Sequence, residues 1–254
     1  MGESKSDHSA AGIGEAAQQA AGAETTSPPI QRLLSRRSQL ALLLLIAAFV
    51  GLTALVASTS TQGVDLSITR AVQTVSSPFV GSLMAVISWP GYVPQSIVIA
   101  ALIVLLLYGF GLRWEALAAL IAGVLQQVLN LLIKDSIHRA RPSADLVHVL
   151  LTLHSSSFPS GHVTFYVGFF GFIFFLAFTL LKPSWKRTLL LGIFGGLILL
   201  IGVSRIYRGE HWASDVIGAY LLGSIALATS IQLYRWGKAR VLVRQPVVSE
   251  KDRA

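Results

Sequence analysis

The sequence predicts an all-α integral membrane protein with six transmembrane helices, and three observations support that fold class. Of 254 residues, 53% are hydrophobic and only 13% are charged, whereas a soluble domain carries about 25% charged residues. Six apolar runs are long enough to cross a bilayer core or nearly so, and all 20 Lys and Arg residues lie outside them. The runs cover residues 40–57, 95–110, 116–133, 163–181, 189–203 and 216–233.

The segments outside these runs divide the chain into three parts. Residues 1–38 form a basic-ended tail that we expect to be disordered over about its first 30 residues, because that stretch has no aromatic residue to bury. Residues 39–236 form the membrane domain, and residues 237–254 form a second basic tail. The first run is also compatible with a signal peptide. We favour an uncleaved span because the run exceeds the usual length of a signal h-region.

Two short segments precede the second span. Val64, Ile68, Val72 and Val75 recur at helical spacing among polar residues, which predicts an amphipathic helix lying at the membrane interface. A second short apolar segment runs over residues 78–89. Pro90, Gly91 and Pro94 then interrupt the chain before the second span begins.

The distribution of Lys and Arg residues predicts that both termini are cytoplasmic. With that orientation, 14 of the 20 basic residues fall on the cytoplasmic side. Five of the other six lie in two external loops. Membrane topology does not require basic residues there, so these five are candidates for binding an anion. We therefore expect a multi-pass protein of a bacterial inner membrane, with its active site on the external, periplasmic face.

These two loops contain three ordered signatures. Residues 134–142 match K-x6-R-P, residues 159–162 match P-S-G-H, and residues 204–215 match S-R-x5-H-x3-D. On these matches the chain resembles the membrane branch of the type 2 phosphatidic acid phosphatase family over residues 60–235. The resemblance implies a six-helix membrane phosphatase whose histidine is transiently phosphorylated and which works without a metal.

The signature residues can be assigned roles in phosphoryl transfer, which needs an in-line nucleophile, positive charge around the phosphoryl oxygens and a proton for the leaving oxygen. We assign His211 as the nucleophile. Asp215 lies four residues later, within reach of the imidazole if a helix begins by His211, and would fix the ring tautomer. Without the other signatures, a histidine in a solvated loop would be the simpler interpretation.

The remaining catalytic and phosphate-binding assignments follow from the other two signatures. His162 is the general acid that protonates the leaving oxygen and then activates water. Ser160 and Gly161 precede it at a predicted helix start and would bind a phosphoryl oxygen. Lys134, Arg141 and Arg205 would neutralise the phosphate. Arg139 and Arg208 are candidates for contacting a second phosphate or lipid head groups.

We expect no metal and no other cofactor. His138, His148 and His154 have no metal-ligand spacing and no accompanying carboxylate cluster. The chain has no cysteine, which excludes disulfides and cysteine nucleophiles. A nucleic-acid partner is not expected either, because the basic residues are dispersed between apolar runs rather than gathered on one domain.

The resulting hypothesis is a metal-independent phosphatase that acts on a lipid phosphate or diphosphate in the bilayer. We rank undecaprenyl diphosphate first because the surplus arginines suit additional phosphate charge. Phosphatidylglycerophosphate and phosphatidic acid are the alternative substrates. Two other classes stay open: a vanadium-dependent haloperoxidase, which has a similar site but is typically soluble, and a non-catalytic lipid transporter or head-group receptor.

Overall fold

The structure, a computed structural model, describes residues 28–58 and 62–243 and the side chains of residues 36–58 and 63–240. It is all-helical over this part of the chain. The helices are α1 (Pro28–Ser58), α2 (Gln62–Gln73), α3 (Pro78–Ser88), α4 (Gln95–Gly109), α5 (Arg113–Ser136), α6 (Gly161–Leu180), α7 (Trp185–Tyr207) and α8 (Ala213–Val243). Most of both predicted tails, residues 1–27 and 244–254, lies outside the described residues.

The predicted fold class is confirmed. Within the described residues, α1, α5, α6, α7 and α8 are each long and apolar enough to cross a membrane. The expected second span, α4, has 15 residues, which gives a length of about 22 Å against a hydrocarbon core of about 30 Å. Pro90 and Pro94 keep α4 from extending back towards α3, because proline lacks the N–H that a helix needs.

The two short segments before α4 form a bent pair. Helices α2 and α3 meet at 119°, and Ser77 caps α3 by accepting a hydrogen bond from the Val80 N–H at 3.2 Å. The amphipathic helix ends at Gln73 rather than continuing to Val75. Its apolar side chains Val64 and Ile68 are exposed, while Asp65 is buried. The polar side of α2 therefore packs against the protein.

Helix α6 lies at the centre of the bundle. Of its most apolar stretch 61% is buried, against 11–39% for the other four long helices that the structure describes. Phe165 stacks on Phe169 and packs edge-on against Phe170. Glycine allows close helix approach here: a Cβ on Gly168 would lie 2.8 Å from Gln126 Cβ of α5, and one on Gly223 of α8 would lie 2.7 Å from Val167 Cβ. This packing fixes α5, α6 and α8 against one another.

Candidate active site

The ends of four helices meet at one end of the bundle and bring the three signatures together. The two loops that carry them, residues 137–160 and 208–212, are joined by direct hydrogen bonds. Trp212 Nε1 donates to the Ala140 carbonyl at 3.1 Å, and the Leu150 N–H donates to the Arg208 carbonyl at 3.1 Å. The gathered residues are Lys134, Arg141, Ser160, Gly161, His162, Arg205, His211 and Asp215.

A tight turn delivers His211 to this site. Helix α7 ends at Tyr207, and Gly209 follows with a φ of +64°, which favours glycine. A Cβ at Gly209 would lie 2.2 Å from the His148 carbonyl oxygen, so no larger residue fits without moving the loop. The turn places Glu210 and His211 in the buried interior of the site.

The imidazole of His211 has a defined orientation. Its Nδ1 lies 2.9 Å from the Ser157 carbonyl oxygen, and its Nε2 lies 3.2 Å from an Nη of Arg141. A carbonyl can only accept, so Nδ1 carries the proton and Nε2 holds the lone pair. Burial, followed by the charges of Arg141, Arg205 and Lys134, lowers the pKa of His211 well below its usual value of 6.5. The ring is therefore neutral at pH 7.

Asp215 lies near His211 but does not hydrogen-bond to it. The carboxylate is 3.7 Å from Nδ1, since α8 begins at Ala213 and not by His211. One carboxylate oxygen instead accepts from the Ser157 hydroxyl at 2.5 Å and from the Trp212 N–H at 2.8 Å. The expected direct contact is thus replaced by an indirect one, in which Asp215 holds Ser157 and the Ser157 carbonyl orients the imidazole.

His162 is held by the turn that links α3 to α4. The ring of Tyr92 meets the imidazole edge-on, with centroids 4.5 Å apart. A Cβ on Gly91 would lie only 2.4 Å from His162 Cδ2, so the backbone of residue 91 packs directly against the ring. Within the described residues, the buried Nε2 of His162 has no hydrogen-bond partner.

The cationic residues differ in their surroundings. Arg205 is fully buried and pairs with Glu210, which also accepts from Arg208 at 2.8 Å and from the Tyr92 hydroxyl at 2.7 Å. Arg141 donates to the Glu210 carbonyl at 2.6 Å and lies beside His211. Lys134 Nζ donates to the Pro159 carbonyl at 3.4 Å, which places its charge beside the start of α6.

Arg139 and Arg208 are bonded to buried carboxylates. This pairing weakens the prediction that the two arginines bind a second phosphate. Arg139 bridges Asp65 and Asp215, and Arg208 pairs with Glu210. The sequence analysis did not pair these arginines with acidic residues. Their charges compensate the surplus arginines on which the ranking of a diphosphate substrate rested.

Three buried polar atoms at the site lack a hydrogen-bond partner within the described residues: Ser160 Oγ, His162 Nε2 and Arg205 Nε. Buried polar atoms are normally satisfied. Gly161 lies between the first two in sequence, and a Cβ there would meet the protein only at Asn130 Oδ1, 3.5 Å away. The cluster can therefore donate hydrogen bonds to an oxyanion.

Metal binding is not suggested by the side chains that the structure describes. No group of three or more His, Cys, Asp or Glu residues among them could hold a metal ion. The carboxylates of the site are engaged by arginines, as described above, and Arg141 lies beside His211.

An apolar groove of about 550 Å³ runs between α4 and α5 beside the site. Val93 at its lining follows Tyr92, which contacts His162, and Phe165 lies one helical turn after His162. Further along, Ala100, Gly123 and Phe169 line the groove. Its position allows an apolar chain to lie between the helices while the polar end of the same molecule reaches the histidines.

Comparison with known proteins identifies the family. The model of the PAP2 superfamily matches residues 113–239, half of the chain. The chain belongs to the PAP2 superfamily. It is 31% identical to phosphatidylglycerophosphatase B of Bacillus subtilis over 180 aligned residues. The alignment covers 69% of the chain and 85% of that relative. It is 36% identical to the undecaprenyl-diphosphatase BcrC of Bacillus subtilis over 135 aligned residues. This alignment covers 51% of the chain and 65% of that relative.

A solved structure agrees with this assignment. The crystal structure of the transmembrane PAP2-type phosphatidylglycerolphosphate phosphatase from Bacillus subtilis superimposes with a TM-score of 0.67 at 25% identity, covering 79% of the chain and 96% of that protein. The chain is thus a multi-pass membrane phosphatase of the PAP2 superfamily, and the family resemblance of the sequence analysis is confirmed.

The sequence analysis missed several residues of the site. Contacts with the signature residues are also made by residues that occupy no specified position of a signature, namely Ser157, Glu210, Tyr92, Gly91 and Asp65. Only Glu210 had a signal of its own, because it stands directly before His211 in a loop rich in arginine. The contacts of Gly91, Tyr92 and Asp65 come from chain segments far away in sequence.

Proposed function

We propose that this PAP2 phosphatase hydrolyses a lipid phosphate through a phosphohistidine on His211. The observation that carries the proposal is the hydrogen bond between His211 Nδ1 and the Ser157 carbonyl, because it leaves the lone pair of a neutral ring on Nε2. Arg141 stands beside that nitrogen, where it would also bind the incoming phosphate.

In the first step Nε2 of His211 attacks phosphorus, and the bond between phosphorus and the lipid oxygen breaks. Arg141, Arg205 and Lys134 stabilise the charge on the equatorial oxygens, together with Ser160 and the start of α6. His162 gives its proton to the departing lipid oxygen, so the lipid leaves as a neutral alcohol. The negative charge of Asp215, 3.7 Å from Nδ1, favours the phosphorylated ring, which is cationic.

In the second step water attacks the phosphohistidine. His162 is now unprotonated and takes a proton from the water, which forms a bond to phosphorus as the bond to His211 Nε2 breaks. Inorganic phosphate leaves, and both imidazoles return to their starting protonation states. No group outside the described side chains, the lipid phosphate and water is required for this balance.

The charge of the site supports a phosphate monoester as the substrate. Apart from the proton that His162 transfers to the lipid oxygen, five basic side chains (Lys134, Arg139, Arg141, Arg205 and Arg208) and three buried carboxylates (Asp65, Asp215 and Glu210) leave a net charge of +2. A phosphate monoester carries about −1.5 to −2 at pH 7, which matches this value. We therefore rank phosphatidylglycerophosphate first, and the first-named relative acts on a lipid of that kind according to its name.

Undecaprenyl diphosphate is the second candidate substrate. It is favoured by the similarity to the undecaprenyl-diphosphatase BcrC, and a long prenyl chain suits the apolar groove. Turnover of phosphatidylglycerophosphate, phosphatidic acid and undecaprenyl diphosphate should be compared in one detergent by phosphate release. Absence of release from every lipid would favour a non-catalytic lipid-binding role.

We also propose that the site faces the external side of the membrane. The bias of Lys and Arg residues supports this orientation. A reporter fused after Leu150 should be external and one fused after Trp185 cytoplasmic. The opposite pattern would show that the site faces the cytoplasm, where it would act on lipid phosphates of the cytoplasmic leaflet.

The test of the mechanism is labelling with a lipid that carries a radioactive phosphate, quenched in alkaline detergent. We expect an acid-labile, base-stable label on the wild type and on His162→Ala, and none on His211→Ala. His138→Ala is the matched control, since His138 lies in the same loop region and occupies one of the unspecified positions of the first signature. Label retained without His211 would assign the nucleophile to another residue.

A further inference from the structure

Helix α2 lies outside the part of the chain that the family model matches, residues 113–239, yet it reaches the site. Its residue Asp65 is 2% exposed and Val64 beside it is 69% exposed. In a membrane protein, exposed valine at this position is suited to contact lipid, whereas a carboxylate this deeply buried requires compensation. The compensation comes from the catalytic loops.

Asp65 makes three contacts with these loops. One carboxylate oxygen accepts from the Ser214 N–H at 2.9 Å. The other accepts from the Ser214 hydroxyl at 2.7 Å and pairs with Arg139 at 2.6 Å. These contacts join the membrane-facing helix to the first turn of α8, which also carries Asp215.

Arg139 continues the connection towards the nucleophile. Its other guanidinium nitrogen bonds to Asp215 and, at 2.7 Å, to Ser214 Oγ. Asp215 in turn holds the Ser157 hydroxyl, and the Ser157 carbonyl accepts from His211 Nδ1. In this series from Asp65 to His211, each pair of neighbouring residues is joined by a direct hydrogen bond.

The charges along this series explain what Asp65 contributes. Arg139 alone would cancel the negative charge of Asp215, which lies 3.7 Å from His211 Nδ1. With Asp65 on its other side, the three ions have a net charge of −1. That negative charge is needed in the step that makes the imidazole cationic, so it favours the transition state more than the bound substrate.

We propose that Asp65 is a positioning residue for the phosphoryl transfer, acting through Arg139 on Asp215 and His211. The inference rests on the proposed function, because it assumes His211 as the nucleophile. It assigns a role in catalysis to the interfacial helix α2, which the signatures do not include.

The test compares Asp65→Asn with two controls on the same helix. Asparagine keeps the shape of the side chain and removes the charge, so kcat should fall about 10- to 100-fold, with KM changed less than about threefold. Among the described residues, the exposed hydroxyl that Ser67→Ala removes donates to the Gly63 carbonyl of its own helix, and the buried hydroxyl that Thr69→Val removes donates to the Asp65 carbonyl. Both controls should keep their kcat.

A double-mutant cycle separates positioning from general stabilisation. If Asp65 acts through Arg139, the double variant Asp65→Asn/Arg139→Gln should be no slower than Arg139→Gln alone. The inference would be overturned if the fold-loss of kcat in the double variant were the product of the two single losses. It would also be overturned if Thr69→Val lost as much kcat as Asp65→Asn. If Asp65→Asn does not fold in detergent, Ser214→Ala removes the hydroxyl that both ions contact and should lower kcat about threefold or more. An unchanged kcat in that variant would also overturn it.

His211→Ala, measured in the same assay, distinguishes this inference from the proposed function. If His211→Ala retains activity and label, the proposed nucleophile is wrong and the inference falls with it. If His211→Ala is inactive while Asp65→Asn is as fast as the wild type, the proposed function stands and only the role of Asp65 is refuted.

Discussion

The contact between Gly91 and His162 gives a quantitative prediction for the general acid. In Gly91→Ala the new Cβ would lie 2.4 Å from His162 Cδ2, and ordinary van der Waals contact begins at 3.4 Å. The imidazole must therefore move by about 1 Å away from the α3–α4 turn. A displacement of this size at a catalytic group costs about 10²-fold in rate, or about 2.7 kcal/mol of transition-state stabilisation.

The assay uses two substrates that differ in their need for an acid. We expect kcat/KM for a lipid phosphate to fall about 100-fold in Gly91→Ala, because its alkoxide must be protonated as it leaves. For p-nitrophenyl phosphate the loss in kcat/KM should be below about fivefold, since nitrophenolate leaves without a proton. The kcat for both substrates can fall, because His162 also activates the water of the second step.

Gly81→Ala is the matched control for this substitution. It lies in α3, and among the described residues its Cβ would meet only the Tyr207 hydroxyl, 3.9 Å away. Gly81→Ala should keep both activities. Equal losses of kcat/KM for the two substrates in Gly91→Ala, or no loss for the lipid phosphate, would refute the assignment of His162 as the general acid.

Three further predictions concern the nucleophile, the groove and the ions. Because burial and neighbouring cations lower the pKa of His211, the acid limb of the kcat/KM pH profile should lie below pH 6.5. In Arg141→Gln one of these cations is removed, so the acid limb should move to higher pH. An acid limb at the same pH in both proteins would contradict this prediction. Ala100→Trp should slow long-chain lipid phosphates at least tenfold and spare p-nitrophenyl phosphate, whereas Leu102→Trp, outside the groove lining, should affect neither. EDTA should leave phosphate release intact, whereas vanadate should inhibit it. Activity that is lost with EDTA and restored by magnesium would refute the proposal that side chains alone stabilise the charge of the phosphoryl group.

The sequence by itself determined the fold class and the family. Long apolar runs must become helices in a bilayer, because backbone groups in lipid have to be satisfied within the segment. Three ordered signatures predicted His162, His211 and the main cations as site residues, since the residues within each signature lie close together in the chain and their spacing is visible in it. The helices α2 and α3 were also visible as short segments before the second span.

Only the tertiary structure decided how these residues are held. The position of Asp215 depends on where α8 begins, and a shift of two residues in that start replaced the direct contact with His211 by one through Ser157. Asp65, Gly91 and Tyr92 contact the site across more than 60 residues of chain, and no local pattern encodes such a contact. The pairing of Arg139 and Arg208 with carboxylates likewise depends on three-dimensional proximity. Charge along a sequence can be counted, but its compensation is set by distances in the folded protein.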